Sequence, residues 1–212
     1  RNKILISVNP KNPQIWYWLI PLADGMSSCG VVGPDQDVAA YGDDLEERLD
    51  VLIGEAEMMS RVLRHAVRAR PAGEIMGFSA NVKTLTGPSF ALLGNAAEFL
   101  DPVFSSGVTI ALKSATLASC LVDRQLRGEV VDWEAEFSEP LKVGVETFKA
   151  HVAAWYDGSL QRIIFNRPMG DTKVTSYLTS VLAGYAWDKN NPIVREPVRF
   201  LKVVDQLCPP VI

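Results

Sequence analysis

Three short clusters of small and polar residues, Gly94-Asn95-Ala96-Ala97, Asp101-Pro102 and Ser105-Ser106-Gly107, follow one another closely in the chain. The apolar run Phe90 to Leu93 before them reads as a strand. The sequence from about Ser106 to Leu126 reads as a long helix, closed by the basic last turn and C-capping glycine of Arg127-Gly128. The start of such a helix leaves backbone N–H groups without internal partners and sets the positive end of the helix dipole behind them. Donors arranged this way suit an anion or the electron-rich part of a ring. The small residues around them let something flat come close to the backbone. The same pattern also suits an ordinary strand, turn and helix with a serine N-cap.

Other chemistries find less support. Cys29, Cys120 and Cys208 lie far apart without CxxC spacing, a pattern that favours reduced thiols and a cytoplasmic protein. His65 and His151 are the two histidines, and without paired ligand spacing a zinc site is not expected. Both fall in helical patterns, where packing or surface roles are the default. None of the 15 glycines makes a G-x-G pair, so the dinucleotide fingerprint G-x-G-x-x-G is missing, and there is no Walker A loop. A formal net charge of -4 gives no electrostatic reason to expect nucleic acid or an anionic membrane as partner. The most apolar stretch, Val108 to Val122, is broken by Lys113, Ser114 and Ser119 and falls short of the roughly 20 apolar residues of a spanning helix.

The elements that must position the clusters follow from periodicity. Lys3 to Val8, Gln14 to Leu22 and Ser28 to Gly33 read as three strands of an antiparallel meander, separated by Asn/Pro-rich and Asp-Gly turns. In the middle strand Trp16, Trp18 and Ile20 share one face while Tyr17 and Leu19 share the other, so both faces are apolar. Asp43 to Arg70 reads as helical, acidic at its start and basic at its end (Arg61, Arg64, Arg68, Arg70). That basic cluster suits a solvated helix end, and an anion site is the alternative. Ile75 to Val82 is expected to be a strand. Trp133 to Phe165 reads as helical, with Val145, Phe148, Val152, Trp155 and Tyr156 forming an apolar core stripe. A final helical pair spans Val174 to Tyr185 and Ile193 to Val204, and Pro168-Met169-Gly170 is a candidate boundary.

The clusters carry a resemblance. Gly94-Asn95-Ala96-Ala97, Asp101-Pro102 and Ser105-Ser106-Gly107 resemble the second flavin-contacting motif of FAD-dependent monooxygenases and flavin-dependent halogenases, including the tryptophan halogenase family. Trp16-Tyr17-Trp18-Leu19-Ile20-Pro21 is similar to the W-x-W-x-I-P signature of the halogenase branch. Two motifs in the family's order are far more specific than either one. The resemblance implies that Gly94, Asn95, Pro102, Ser106, Gly107 and Val108 contact FAD, with the Gly107 and Val108 amides facing the pyrimidine end of the isoalloxazine. Asn95 stands where the family has an acidic residue for a ribityl hydroxyl, and an amide accepts more weakly than a carboxylate. Pro102 would lie near the ring face. Chloride or bromide would be bound by the Ser106 and Gly107 amides.

Phe104 replaces the glutamate of tryptophan-type members, which points to the branch acting on phenolic or pyrrole substrates, often tethered to a carrier protein. Trp16, Trp18 and Phe104 would line the substrate pocket, although packing explains the two indoles equally well. A flavin reductase would supply reduced FAD. The essential lysine of the halogenases falls in the N-terminal half of the family, so no catalytic residue is assigned here and catalysis by this chain alone is not expected. The expected fold class is α/β, a partial FAD-oxidoreductase fold. It would have a mixed or antiparallel substrate-side sheet, a strand-to-helix flavin edge over 1–130 and a helical C-terminal extension over 131–212, without the N-terminal Rossmann βαβ unit. Two alternatives stay open beside halogenation: an FAD-dependent monooxygenase or dehydrogenase, and a non-catalytic remnant used for binding or assembly.

Overall fold

The computed structural model describes residues 3–165 and 172–208. Its contacts divide the chain into two compact units that meet in sequence at Met76 and Gly77. In the first unit β1 (Leu5–Val8), β2 (Trp16–Pro21) and β3 (Ser27–Val32) form the expected antiparallel meander in the order β1-β2-β3, with Leu5 opposite Leu19 and Trp16 opposite Val32. The first turn is held by Asn9, whose Oδ1 accepts from the amides of Lys11 (2.8 Å) and Asn12 (3.0 Å). Tyr17 and Leu19 point to one side of β2, as the period of two requires, and join Ile15, Leu52, Ala56 and Met59 in a core.

That core is closed by α2 (Leu45–Glu55) and α3 (Glu57–Leu63), which follow the short α1 (Asp35–Ala39). Asp44 caps α2 by accepting from the Glu46 and Glu47 amides. The helical region is thus shorter than Asp43 to Arg70: it breaks at Ala56 and stops at Leu63, so Arg64, Arg68 and Arg70 lie beyond its end. Arg68 pairs with Glu46 in the first turn and Asp50 in the middle of α2, an ion-pair role in place of the expected complement to a helix dipole.

The second unit begins with four two-residue strands, β4 (Ala80–Asn81), β5 (Thr86–Gly87), β6 (Phe90–Ala91) and β7 (Glu98–Phe99). They pair antiparallel as β4 with β7 and β5 with β6. The expected strand Ile75 to Val82 is therefore cut to its last residues. Gly77 adopts φ +59, which turns the backbone out of the extended region. The expected strand Phe90 to Leu93 is likewise cut to Phe90–Ala91, because its partner across the Pro88-Ser89 turn offers two residues.

Helices make the rest: α4 (Gly107–Leu126), a π-helical turn over Glu134–Ser138, α5 (Glu139–Tyr156), α6 (Ser159–Phe165), α7 (Lys173–Leu182), α8 (Pro192–Arg195) and α9 (Pro197–Gln206). Pro140 sits in the first turn of α5, where its missing N–H costs nothing. Ile110, Ala118 and Leu121 of α4 share one core with Leu141, Val145 and Phe148 of α5 and with residues of the later helices. The compact unit therefore runs from Gly77 onward, across the 130/131 division suggested by sequence, because the inner face of α4 is buried against α5. Pro168-Met169-Gly170 lies outside the described residues.

Candidate functional site

Gly94 turns the chain at φ +53, a conformation in which glycine carries no side-chain penalty. Its amide donates to Ser114 Oγ at 3.0 Å, and a Cβ at this position would stand 3.1 Å from Ala111 Cβ. The turn is thereby pressed against the second turn of α4. A Cβ at Gly107 would meet only Asn95 Oδ1, at 3.7 Å, so the Asn95 side chain lies beside the helix start. The Gly94–Ala96 turn and the first turn of α4 form one edge, on which Asn95, Pro102, Ser105 and Val108 are exposed and Gly107 is partly exposed.

Between the two turns, Asp101 accepts from the Val103 amide at 3.0 Å and starts a 3-10 turn over Pro102–Phe104. Ser105 then takes a left-handed conformation, φ 51, which a serine adopts at some cost. This reversal delivers the chain into α4. Ser106 makes no side-chain cap, and among the described residues no acceptor meets the amides of Ser106, Gly107, Val108 or Thr109. The first internal bond of the helix is that of the Ile110 amide to the Ser106 carbonyl, 2.9 Å. Four backbone donors at the positive end of a 20-residue helix are left for something else to satisfy.

These observations fit the group implied by the sequence. Partnerless amides suit a flavin's electron-rich pyrimidine edge, Asn95 is available to a hydroxyl, and Pro102 offers an exposed apolar face. Ser106 itself is 3% exposed, so little of it is presented on the edge.

Phe104 is half-buried and stands edge-on to two rings of α5, His151 at 5.9 Å and Trp155 at 6.0 Å between centroids. The sequence predicts an apolar core stripe along α5. Val145, Phe148 and Trp155 are buried accordingly, but Tyr156 reaches 2.6 Å from Asp101 Oδ2 and so fixes the turn before Phe104. Burial raises the Asp101 carboxyl above its ordinary range, an effect opposed by the hydrogen bonds from Tyr156 and the Val103 amide. A polar tyrosine at the end of an otherwise apolar stripe was the available signal. Asp101 also borders an open cleft of about 490 Å³ with Asn81, Glu98 and Lys149, where Lys149 pairs with Glu98 at 3.1 Å. The acidic groups of the cleft are already partnered within the chain.

Trp16 and Trp18 belong to the first unit. Trp16 is 2% exposed, and the two indoles lie 6.2 Å apart. Trp18 covers Gly30, where a Cβ would stand 2.2 Å from the ring, and its Nε1 donates to Ser28 Oγ at 3.1 Å. Packing within the sheet accounts for Trp18 without a ligand. No group of histidine, cysteine, aspartate or glutamate suited to a metal ion occurs among the described residues, and no helix there is long and apolar enough to cross a membrane.

No protein-family model matches the chain. Over 104 residues, 49% of this chain and 23% of the relative, it is 36% identical to a 1H-pyrrole-2-carbonyl-(peptidyl-carrier protein) chlorinase of Pseudomonas fluorescens. Over 157 residues, 70% of this chain and 30% of the relative, it is 29% identical to a flavin-dependent halogenase of Penicillium aethiopicum. The crystal structure of a flavoprotein/dehydrogenase from Cytophaga hutchinsonii matches 96% of this chain and 53% of its own length, with a TM-score of 0.87 and 33% identity. The chain spans about half of that structure and less than a third of the two curated relatives. The shared sequence and the mixed α/β fold make this chain homologous, over part of those proteins' length, to the flavin-dependent halogenases and the FAD-oxidoreductase superfamily around them.

Proposed function

We propose that the edge between Gly94 and Thr109 holds FAD, and that the protein works as a halogenase-like oxidoreductase on an aromatic substrate, phenolic or pyrrole, or on one tethered to a carrier protein. The observation that carries this reading is the set of four partnerless amides at the start of α4, opened beside a glycine turn. Preorganised donors of this kind favour negative charge on whatever they face, without reorganising when that charge develops. The Gly107 and Val108 amides are assigned to the pyrimidine edge of the ring. Asn95 bonds a ribityl hydroxyl, more weakly than a carboxylate would. Pro102 gives a rigid apolar contact. Bound in its reduced form, FAD would supply the electron pair for oxygen activation.

The chain's own residues then divide the remaining tasks. The Ser106 amide binds chloride or bromide beside Gly107, whose amide faces the ring, and Phe104, next to them in sequence, presents an aromatic wall to the substrate. A flavin reductase is the proposed partner. The test uses the protein in its full-length form with reduced FAD, dioxygen, bromide or chloride, and a phenol or a pyrrole. Halogenated product by mass spectrometry, scaling with halide, is expected; turnover indifferent to halide removes the halogenase reading.

A second reading, FAD-dependent dehydrogenation or hydroxylation, is favoured by the 33% identity to a flavoprotein/dehydrogenase over nearly the whole chain. A product that has lost hydrogen or gained oxygen selects it. A colourless protein that binds no flavin rejects both enzyme readings and leaves a binding or assembly role.

A further inference from the structure

His151 and Trp155 stand four residues apart on α5 and so share one face of that helix. They are 0% and 3% exposed, and each carries a buried polar atom without a partner among the described residues: His151 Nε2 and Trp155 Nε1. Their hydrogen-bonding characters are opposite. His151 Nδ1 lies 2.7 Å from the Thr147 carbonyl, which can only accept, so Nδ1 carries the proton and Nε2 of the neutral ring is a bare acceptor. The indole Nε1 can only donate. One face of α5 thus lacks one donor and one acceptor, and both rings touch the same residue, Phe104.

Orphaned polar atoms in a core are costly, and a pair of opposite kind beside a candidate substrate wall asks what would satisfy both. A halide or carboxylate can accept from Trp155 but offers nothing to His151. A pyrrole N–H can donate to His151 but leaves the indole unmet. A hydroxyl does both, donating through its hydrogen and accepting on its oxygen. Phe104 is the half-exposed member of the trio and sits on the Pro102–Phe104 turn, between the Asp101 cap and the left-handed Ser105.

We propose that His151 Nε2 and Trp155 Nε1 form a hydroxyl-recognition site behind Phe104 that selects phenols over pyrroles. The inference rests on the aromatic-substrate reading above and narrows it. Phenol bound this way donates to His151 and accepts from Trp155, with Phe104 moved against its ring. His151 and Trp155 are binding residues in this scheme, and no proton transfer is assigned to them.

The test is NMR titration of the FAD-loaded full-length protein with phenol, toluene and pyrrole as separate probes. The Trp155 indole resonance is identified by its loss in Trp155→Phe, which keeps the ring contact with Phe104. Phenol is expected to shift that resonance downfield and to bind about tenfold more weakly to Trp155→Phe. Toluene should bind both proteins alike. His151→Phe, which retains an aromatic ring, should also weaken phenol and leave toluene unchanged. Phenol that fails to bind, or binds no better than toluene, or binds Trp155→Phe as well as the parent, overturns the proposal and leaves an ordered water as occupant. The outcome is separable from the halogenase reading: halide-dependent turnover of a pyrrole with no phenol selectivity sinks only the hydroxyl site, whereas phenol selectivity without halide dependence sinks only halogenation.

Discussion

Two buried polar clusters, one in each unit, are handled in opposite ways. In the first, Asn9 is 2% exposed and fully used: Nδ2 donates to Tyr17 Oη at 2.6 Å and to Glu55 Oε2 at 2.9 Å, while Oδ1 accepts two turn amides. Glu55 further accepts from Lys11 and from Tyr41 Oη at 2.8 Å. In the second unit, the first α4 amides, His151 Nε2 and Trp155 Nε1 are left open among the described residues. A closed network specifies a structure, and an open one calls for a partner, a ligand or an ordered water.

The largest effect expected from attacking this contrast is at Asn9. Asn9→Leu leaves Tyr17 and Glu55 short of a partner in a near-closed core and should cost about 2–4 kcal/mol in denaturant unfolding. A loss below about 0.5 kcal/mol, within the range of ordinary surface substitutions, would mean that the network is ornamental. Gly30→Ala comes next: its Cβ would stand 2.2 Å from Trp18, and moving that indole should cost about 1–3 kcal/mol by overpacking. An unchanged melting temperature would show that Trp18 is loosely held and revive its role as a substrate contact.

Gly94→Ala strains a positive φ and crowds Ala111, for about 1–2 kcal/mol. If the turn and α4 make one flavin edge, FAD titration of the full-length protein should weaken alongside. Retained affinity would separate the turn from the edge. His151→Leu should behave in the opposite sense to Asn9→Leu, since removing an orphaned acceptor is neutral or stabilising by up to about 1 kcal/mol in the ligand-free protein. Clear destabilisation would show that Nε2 has a partner after all.

Acidity distinguishes the same two regions with the smallest signals. Hydrogen bonds from Lys11, Asn9 and Tyr41 hold the Glu55 carboxyl at about 2, below its ordinary 4.5. Its contribution is complete above pH 4.5 and is lost as pH falls toward 2. Burial holds the His151 imidazole below its ordinary 6.5, against the Thr147 carbonyl, which favours the charged form. The unfolded chain takes up this proton first, so stability should begin to fall once pH drops below 6.5. Unfolding measured from pH 7.5 to 5.5 should show that slope in the parent and a shallower one in His151→Leu; equal slopes would assign it elsewhere.

Much of the fold was legible because its signals are local. The alternation of Trp16 to Ile20 fixed which side of β2 carries Tyr17 and Leu19, and the Arg127-Gly128 stop fixed the end of α4 to the residue before it. The candidate edge was legible through Gly94, whose positive φ favours glycine, and Pro102, which opens the turn before Phe104. Less visible were the lengths of short strands, since Ile75 to Val82 has the composition of a strand but no partner along most of it. The ion pairs of Arg68, which take its charge away from a helix end, depend on chain folding back in space. The pairing of Tyr156 with Asp101 does too.

Residue types and spacings by themselves determined the meander, the long helix, and an amide-rich start to that helix, because backbone donors, glycine turns and side-chain periodicity act within a few residues. Only the tertiary structure decided that His151 and Trp155 converge on Phe104 with one acceptor and one donor unspent. The reason is that satisfaction of a buried polar atom depends on which neighbours arrive within about 3 Å of it, and neighbours distant along the chain are chosen by packing.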